Sequence, residues 1–299
     1  AIYGTRGSNG VILVNLKKGT KDGNVHTSYS ASFTMNVAKR ELDVLNADQF
    51  RAYRCVLNPL ADKGASTDWF DAATQVGMSH MHTITLSGGN PRTNYRVTAD
   101  FRDAEGLDLR SDRMEYGART NVSHTTKSGL FTFTASFTPR IIKRNKSAGS
   151  VFKNAVGNNP TNPIYDPDSK NGFYAWPSAE PGYNIIEQMS ETIDMTEIKL
   201  LEWNASAGVN LLPLFTPKKD NMTLKSVVSV SQYIVDKFGG TFSPSTYASN
   251  INNGIVGSAS RSYDNSETTN LEWVTNFSTK MQGHQVRAMA GYSWNYGVS

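Results

Sequence analysis

"TNYRVTADFRD", residues 93–103, puts Tyr95, Val97, Ala99 and Phe101 on one parity and Asn94, Arg96, Thr98, Asp100 and Arg102 on the other. A period of two is the signature of a β-strand, whose successive side chains leave on opposite faces. The same split recurs in "NVHTSYSASFTMN" (24–36), where Val25, Tyr29, Ala31, Phe33 and Met35 oppose His26, Ser28, Ser30, Ser32, Thr34 and Asn36. It returns in "LLEWNASAGVNLL" (200–212), "LEWVTNFSTKM" (271–281) and "QVRAMAGYSWNY" (285–296), and more weakly at 80–87, 115–126, 130–138 and 222–234. These make nine candidate strands, several longer than those of ordinary sandwiches.

Their connections alternate in length. Short ones with Gly or Pro turn chemistry are "SGGNPR" (87–92), "TKSG" (126–129), "PLFTPKKD" (213–220) and "MQGH" (281–284). Longer ones are expected at about 37–77, 103–113, 143–194 and 238–266. Short turns at one end and long loops at the other describe an all-β, transmembrane, antiparallel up-and-down β-barrel of the outer-membrane type. The charged parity must then be wet and the apolar parity must face lipid, because no water enters the bilayer core. Phe101, Tyr116, Trp273, Tyr292 and Trp294 are expected at the outer rim, as part of the aromatic girdle.

The composition agrees. Only 38% of the 299 residues are hydrophobic, and no run approaches the eighteen or so apolar residues of a membrane helix. That excludes helical spans alone, since a strand needs only alternate apolar residues. The net charge of +4 is spread without a basic block, so no nucleic-acid footprint is present. Cys55 is alone and forms no internal disulfide framework.

Within the first long loop, "LNADQFRAYRCVL" (45–57) predicts a helix over 47–57. Asn46 is its N-cap, Gln49 completes a capping box, Leu45 and Phe50 suit a hydrophobic staple, and Phe50, Tyr53 and Leu57 share a face. The opening stretch, "AIYGTRGSNGVILVNLKKG" (1–19), is different. Four glycines bracket an apolar run without alternation, and the chain starts at Ala with no signal-like segment before it. The expectation is an internal piece of a longer protein.

That opening stretch resembles the end of the plug domain of TonB-dependent outer-membrane transporters, in the form found in the SusC/RagA family. The resemblance lies in Tyr3 and Gly4, Arg6 and Gly7, Asn9 and Gly10 with Val11 and Ile12, and Lys17 to Gly19. "LNADQFRAY", "TDWFD", "HTITLSGGNPRTNYRVTADFRDAEGL" and "VRAMAGYSW" follow in the order of that family's barrel landmarks. Asn15 and Leu16 stand where the family usually has Thr. The resemblance implies that residues 1–23 end a plug and that 24–299 form about nine strands of a larger barrel. A barrel of about 22 strands has a lumen wide enough to need a plug. The resemblance further implies import of an extracellular nutrient across a bacterial outer membrane, with an oligosaccharide or a peptide as ligand. Its implied partners are outer-membrane lipid, a SusD-like lipoprotein lid, and the TonB complex acting through an N-terminal region. A receptor barrel that binds without transporting is the alternative.

No catalytic constellation is present. No G-x-S-x-G occurs, and the five His residues lack a recognisable nucleophile partner. His80 and His82 share a strand face but have no third ligand at local spacing, so they read as polar-face residues near a strand end rather than a metal site. "DPDSKNG" (166–172) has its Gly one place late for a calcium loop and reads as an Asx-rich turn. No cofactor is expected. The third long loop gathers Tyr165, Phe173, Tyr174 and Trp176 with Asp166. Aromatic faces stacking on sugar rings, with a carboxylate accepting hydroxyl hydrogen bonds, make these the candidate ligand contacts.

Overall fold

The computed structural model describes residues 17–40, 42–147, 150–177, 180–215, 221–245, 254, 256–281 and 284–299. Nine strands form one sheet in strict sequence order. They are β1 (Val25–Asn36), β2 (Gly77–Gly89), β3 (Thr93–Glu105), β4 (Asp112–Thr125), β5 (Phe131–Asn145), β6 (Ile193–Asn210), β7 (Met222–Ser243), β8 (Ser258–Met281) and β9 (His284–Val298). Every neighbouring pair is antiparallel, and the sheet stays open between β1 and β9. This is the wall of a partial up-and-down barrel. Among the described residues no helix is long and apolar enough to cross a membrane, a fact that does not bear on strands.

The register keeps the two parities separate across all nine strands. Phe33 pairs with His80, His82 with Phe101, and Phe101 with Tyr116. Farther along, Ala135 pairs with Ala205, Ala205 with Val230, Val230 with Leu271, and Leu271 with Trp294. One face therefore carries an apolar and aromatic surface that stays open, with Phe33 at 75% and Tyr292 at 60% exposure. An apolar patch of that extent does not persist against water, and lipid is the solvent that suits it. The opposite face carries Thr85, Arg96, Thr98, Asp100, Asn204 and Ser206 in matching register.

Two of the short turns, at 87–92 and 126–129, have the expected turn chemistry, while 216–220 and 282–283 of the other two lie outside the described residues. The Asn90 side chain accepts from the backbone N–H groups of Arg92 and Thr93 at 3.0 and 2.9 Å. Gly129, at φ +69°, donates to the Thr126 carbonyl at 2.9 Å. Two of the expected long loops are shorter than foreseen. The β3–β4 connection spans only 106–111, because Asp108 folds it back by accepting from the N–H groups of Arg110 and Ser111 at 3.0 and 2.8 Å. The β7–β8 connection begins only after Ser243, since β7 and β8 run for 22 and 24 residues. The distal half of β8, residues 258–269, is polar on both parities with Ser, Thr and Asn, so alternation fades there while the ladder to β7 continues.

This changes where Trp273 sits. It does not begin β8 but lies about eight residues from the short-turn end, as do Phe101 and Tyr292, and at roughly 3.4 Å per residue on tilted strands that is about 20 Å above it. The aromatics thus share one level although their strands differ in length.

Two long loops carry short helices: α1 (Ala47–Phe50), which continues as a π-helical turn (Arg51–Cys55), and α2 (Trp69–Ala73) in the first; α3 (Val151–Gly157) and α4 (Ile185–Glu191) in the third. The Asn46–Gln49 capping box forms, with both bonds near 3 Å. The helix nevertheless widens after Phe50 instead of running regularly to residue 57, and Tyr53 and Leu57 are exposed. Beyond Phe50 that face is thus left open to solvent, with no packing among the described residues to hold α-helical geometry.

If the apolar parity faces lipid, Ala205→Arg should cost about 2 to 4 kcal/mol of insertion stability near mid-bilayer, while Ser206→Ala should be tolerated. Spin labels in the full-length protein check the facing: oxygen dissolved in lipid should reach position 205, and a water-soluble relaxation agent position 206.

Candidate functional site

On the polar face, Asp100, Gly117 and Arg140 lie in one cross-strand row on β3, β4 and β5. Neighbouring strands are about 4.8 Å apart, so side chains two strands away meet only if the residue between them is small. Gly117 supplies the gap. A Cβ there would lie 2.7 Å from Arg140 Nη2 and 2.8 Å from the Asp100 carboxylate oxygens. Over it, Arg140 Nη2 donates to Asp100 at 2.9–3.0 Å, and Nη1 donates to Glu115 Oε2 at 3.0 Å. Arg113 Nε donates to the other Glu115 oxygen at 2.6 Å, with Arg102 3.9 Å away. Glu115 is nearly buried. A carboxylate so enclosed needs these charged donors, and two cations on two oxygens satisfy it.

Beside this network opens a cavity of about 400 Å³ lined by Lys17, Arg96, Arg119, Thr85, Thr98 and Asn121, among others. Lys17 reaches it because the chain before β1 lies along the polar face. Gly19 is the point of closest approach, where a Cβ would sit 2.1 Å from the Tyr95 carbonyl oxygen, so no side chain fits. Gly23 then donates to the Gly89 carbonyl at 2.8 Å and leads into β1. Tyr3, Gly4, Arg6, Gly7, Asn9 and Gly10 lie outside the described residues.

The candidate ligand contacts do not form one surface. Trp176 is 5% exposed and meets Trp69 edge-on at 5.6 Å, in a small core with Val151, Ala155, Ile185 and Met189. Its Nε1 donates to the Pro181 carbonyl, and Trp69 Nε1 donates to that of Asn159 at 2.9 Å. Phe173 and Tyr174 flank the same core. Burial raises the Tyr174 phenol above its ordinary pKa. Tyr165 is exposed and packs on Phe173 at 5.5 Å. Asp166 accepts from the Asp168 N–H at 3.0 Å, which is the Asx-type turn that the sequence predicts.

The histidines also differ from expectation. His80 and His82 stand on the apolar parity, not the polar one, among Phe33, Phe101 and Tyr29, whose hydroxyl is 2.6 Å from His82 Nδ1. Their place near the end of β2, above the apolar band, lets a ring with a polar edge join the aromatic level. Among the described residues no group of three potential metal ligands occurs.

No family model matches the chain. Over 185 residues it is 32% identical to the TonB-dependent receptor SusC of Bacteroides thetaiotaomicron, covering 58% of this chain and 18% of that protein. It is 26% identical to the TonB-dependent receptor P3 of Formosa agariphila, over 98% of this chain and 29% of the relative. A structure described as the RagAB peptide transporter superposes with a TM-score of 0.73 at 17% identity, over 99% of this chain and 37% of that one. The chain is thus similar in sequence to TonB-dependent receptors and in fold to RagAB, in line with the SusC/RagA resemblance of its sequence. It spans less than a third of the length of these curated relatives. At 17% identity the RagAB likeness speaks for the fold, and the open nine-stranded sheet matches a segment of that barrel wall.

In this chain the first and third long loops are tied together by polar contacts as well as by the tryptophan pair. Thr161 Oγ1 and Asn159 Nδ2 donate to the Ala61 carbonyl at 3.0 and 2.8 Å. Asp68 caps α2 and accepts from Arg40 at 2.9 Å. Partial burial pushes the Asp68 carboxyl up, but the Asp71 and Phe70 N–H groups and the Arg40 guanidinium outweigh it and hold it below the usual range. A depressed carboxylate stabilises fully above its unfolded pKa of about 3.9 and loses that contribution as pH falls through the folded value. The near-UV signal of the Trp69–Trp176 pair should therefore hold from neutral pH to about 4 and fade below it. Asp68→Asn should lower loop stability at neutral pH and flatten that acid limb.

The Gly117 gap makes a second expectation. Gly117→Val should expel Arg140 from its bridge and cost about 2 kcal/mol, seen as a lower unfolding temperature of the detergent-solubilised full-length protein. Ala118→Val, on the opposite parity, should leave the bridge in place.

Proposed function

We propose that the chain is part of an energised importer of the bacterial outer membrane. In this reading residues 1–23 end a plug, 24–299 form barrel wall and extracellular loops, and the cargo is an oligosaccharide. The observation that carries it is the unbroken nine-strand meander with an open apolar face and a polar face against which Lys17 to Gly19 lie. A wall that is apolar outward and polar inward, with a chain segment laid along its inside, suits a plugged lumen rather than an empty pore.

The partners follow from the same reading. A SusD-like lipoprotein closes over the long-loop end, where Tyr53, Val56, Leu57 and Leu60 present apolar groups to solvent. Energy reaches the plug from TonB. Of the candidate ligand contacts, Tyr165 is exposed and Asp166 beside it half-buried, while Trp176, Phe173 and Tyr174 shape the loop that presents them. Release inward accompanies plug movement.

Uptake of fluorescent oligosaccharides by cells expressing the full-length protein tests this. Accumulation should require both TonB and the long loops. Equal accumulation in cells without TonB would favour a receptor that binds without transport, and uptake of labelled peptides alone would replace the cargo.

A further inference from the structure

The cavity on the polar face has an unbalanced charge. Lys17, Arg96 and Arg119 line it, and no ion pair joins any of them to a carboxylate among the described residues. Asp100 is the one acidic side chain among its described lining residues, and Arg140 already holds it. The chain that leads into this wall brings no remedy: residues 1–16 contain no Asp or Glu and add Arg6. Three cations gathered on one wall repel each other, and the interaction strengthens as water is excluded. Such a set is stable with an anion among them.

The remaining lining is chemically uniform. Thr85, Thr98 and Asn121 contribute hydroxyls and an amide, and Thr85 and Thr98 already share a hydrogen bond of 3.1 Å. Among the described residues no large apolar side chain lines it. A peptide would bring apolar side chains with nothing to receive them, whereas a polyhydroxylated chain finds donors and acceptors throughout. Guanidinium groups favour carboxylates, which they bind in bidentate fashion.

We infer that the cargo is an acidic oligosaccharide whose carboxylates are held by Arg96, Arg119 and Lys17 as it passes along the lumen wall. This rests on the import reading and narrows its substrate class. The anionic groups pair with the free cations, and the sugar hydroxyls replace water on the threonine and asparagine side chains.

Titration calorimetry on the purified full-length protein, with hexagalacturonate, maltohexaose and hexaglutamate as probes, tests it. Hexagalacturonate should bind most tightly and weaken as salt rises. Arg96→Gln and Arg119→Gln should each weaken it about tenfold or more, while the modest binding of maltohexaose stays unchanged. The heat-modifiable gel mobility of each variant verifies that its barrel has formed, and Lys17→Gln, outside the strands, repeats the test where folding is not at stake. Unaltered hexagalacturonate binding in all three variants, or no binding at all, would overturn the inference, the wall then being neutralised by groups of the preceding domain. Equal or tighter binding of hexaglutamate would overturn it in favour of an acidic peptide. TonB-independent accumulation of sugar, with hexagalacturonate binding still lost in the variants, would instead sink the import reading and leave the charge recognition standing.

Discussion

Backbone polar groups cannot be left unpaired in hydrocarbon, and this constraint shapes the whole chain. Each residue that crosses the apolar band must give its N–H and C=O to a neighbouring strand. The result is eight consecutive antiparallel ladders with no strand out of order. Once the ladders are fixed, parity does the rest. In a bilayer every second side chain would meet lipid and the others water, and the sheet accordingly carries two chemically opposite surfaces. The same rule explains why alternation fades in the distal part of β8. Those residues continue the ladder beyond the aromatic level, where water is available to both faces and neither parity needs to be apolar.

The polar surface is organised by close approaches that only glycine allows. Gly117 lets Arg140 reach across a strand to Asp100, and Gly19 lets the incoming chain lie on the β3 backbone. The two have different effects. The first neutralises two carboxylates within the wall, so the network is internally satisfied. The second delivers a lysine to a place that already holds two arginines without an ion-pair partner among the described residues. Charge balance on this wall is consequently local on one side of Gly117 and open on the other, and it is the open side that can distinguish a ligand. At the opposite end of the strands, the first and third long loops make a separate apolar core around Trp69 and Trp176. That core lies outside the sheet and gives otherwise unsupported loops a fixed shape.

The strand meander, the order of turns and the capping box were legible in the sequence because each depends on near neighbours along the chain. Period two is a property of four to eight consecutive residues, the Asn90 and Gly129 turns of four or five, and the Asn46–Gln49 box of four. The resemblance carried by Tyr3 to Gly19 named the family for the same reason, as a local pattern. Strand ends were less legible. Asp108 shortens one loop by bonds to its own neighbours, and β8 outruns its alternation because ladder pairing, not side-chain chemistry, sustains it.

Only the tertiary structure decided what residues far apart do together. Trp176 looked like a ring available to a sugar; it is a core residue because α2, from a loop about a hundred residues earlier, brings Trp69 against it. His80 and His82 looked polar, yet the register sets them among Phe33 and Phe101. The alignment of Asp100, Gly117 and Arg140 depends on the register of three strands at once, and a shift of one residue in any of them would turn its side chain to lipid. Composition and periodicity thus determine that a lipid-facing and a water-facing surface exist. Register and loop packing determine which charges on the wet surface find partners and which remain free, because those depend on distances between strands that no single stretch of sequence contains.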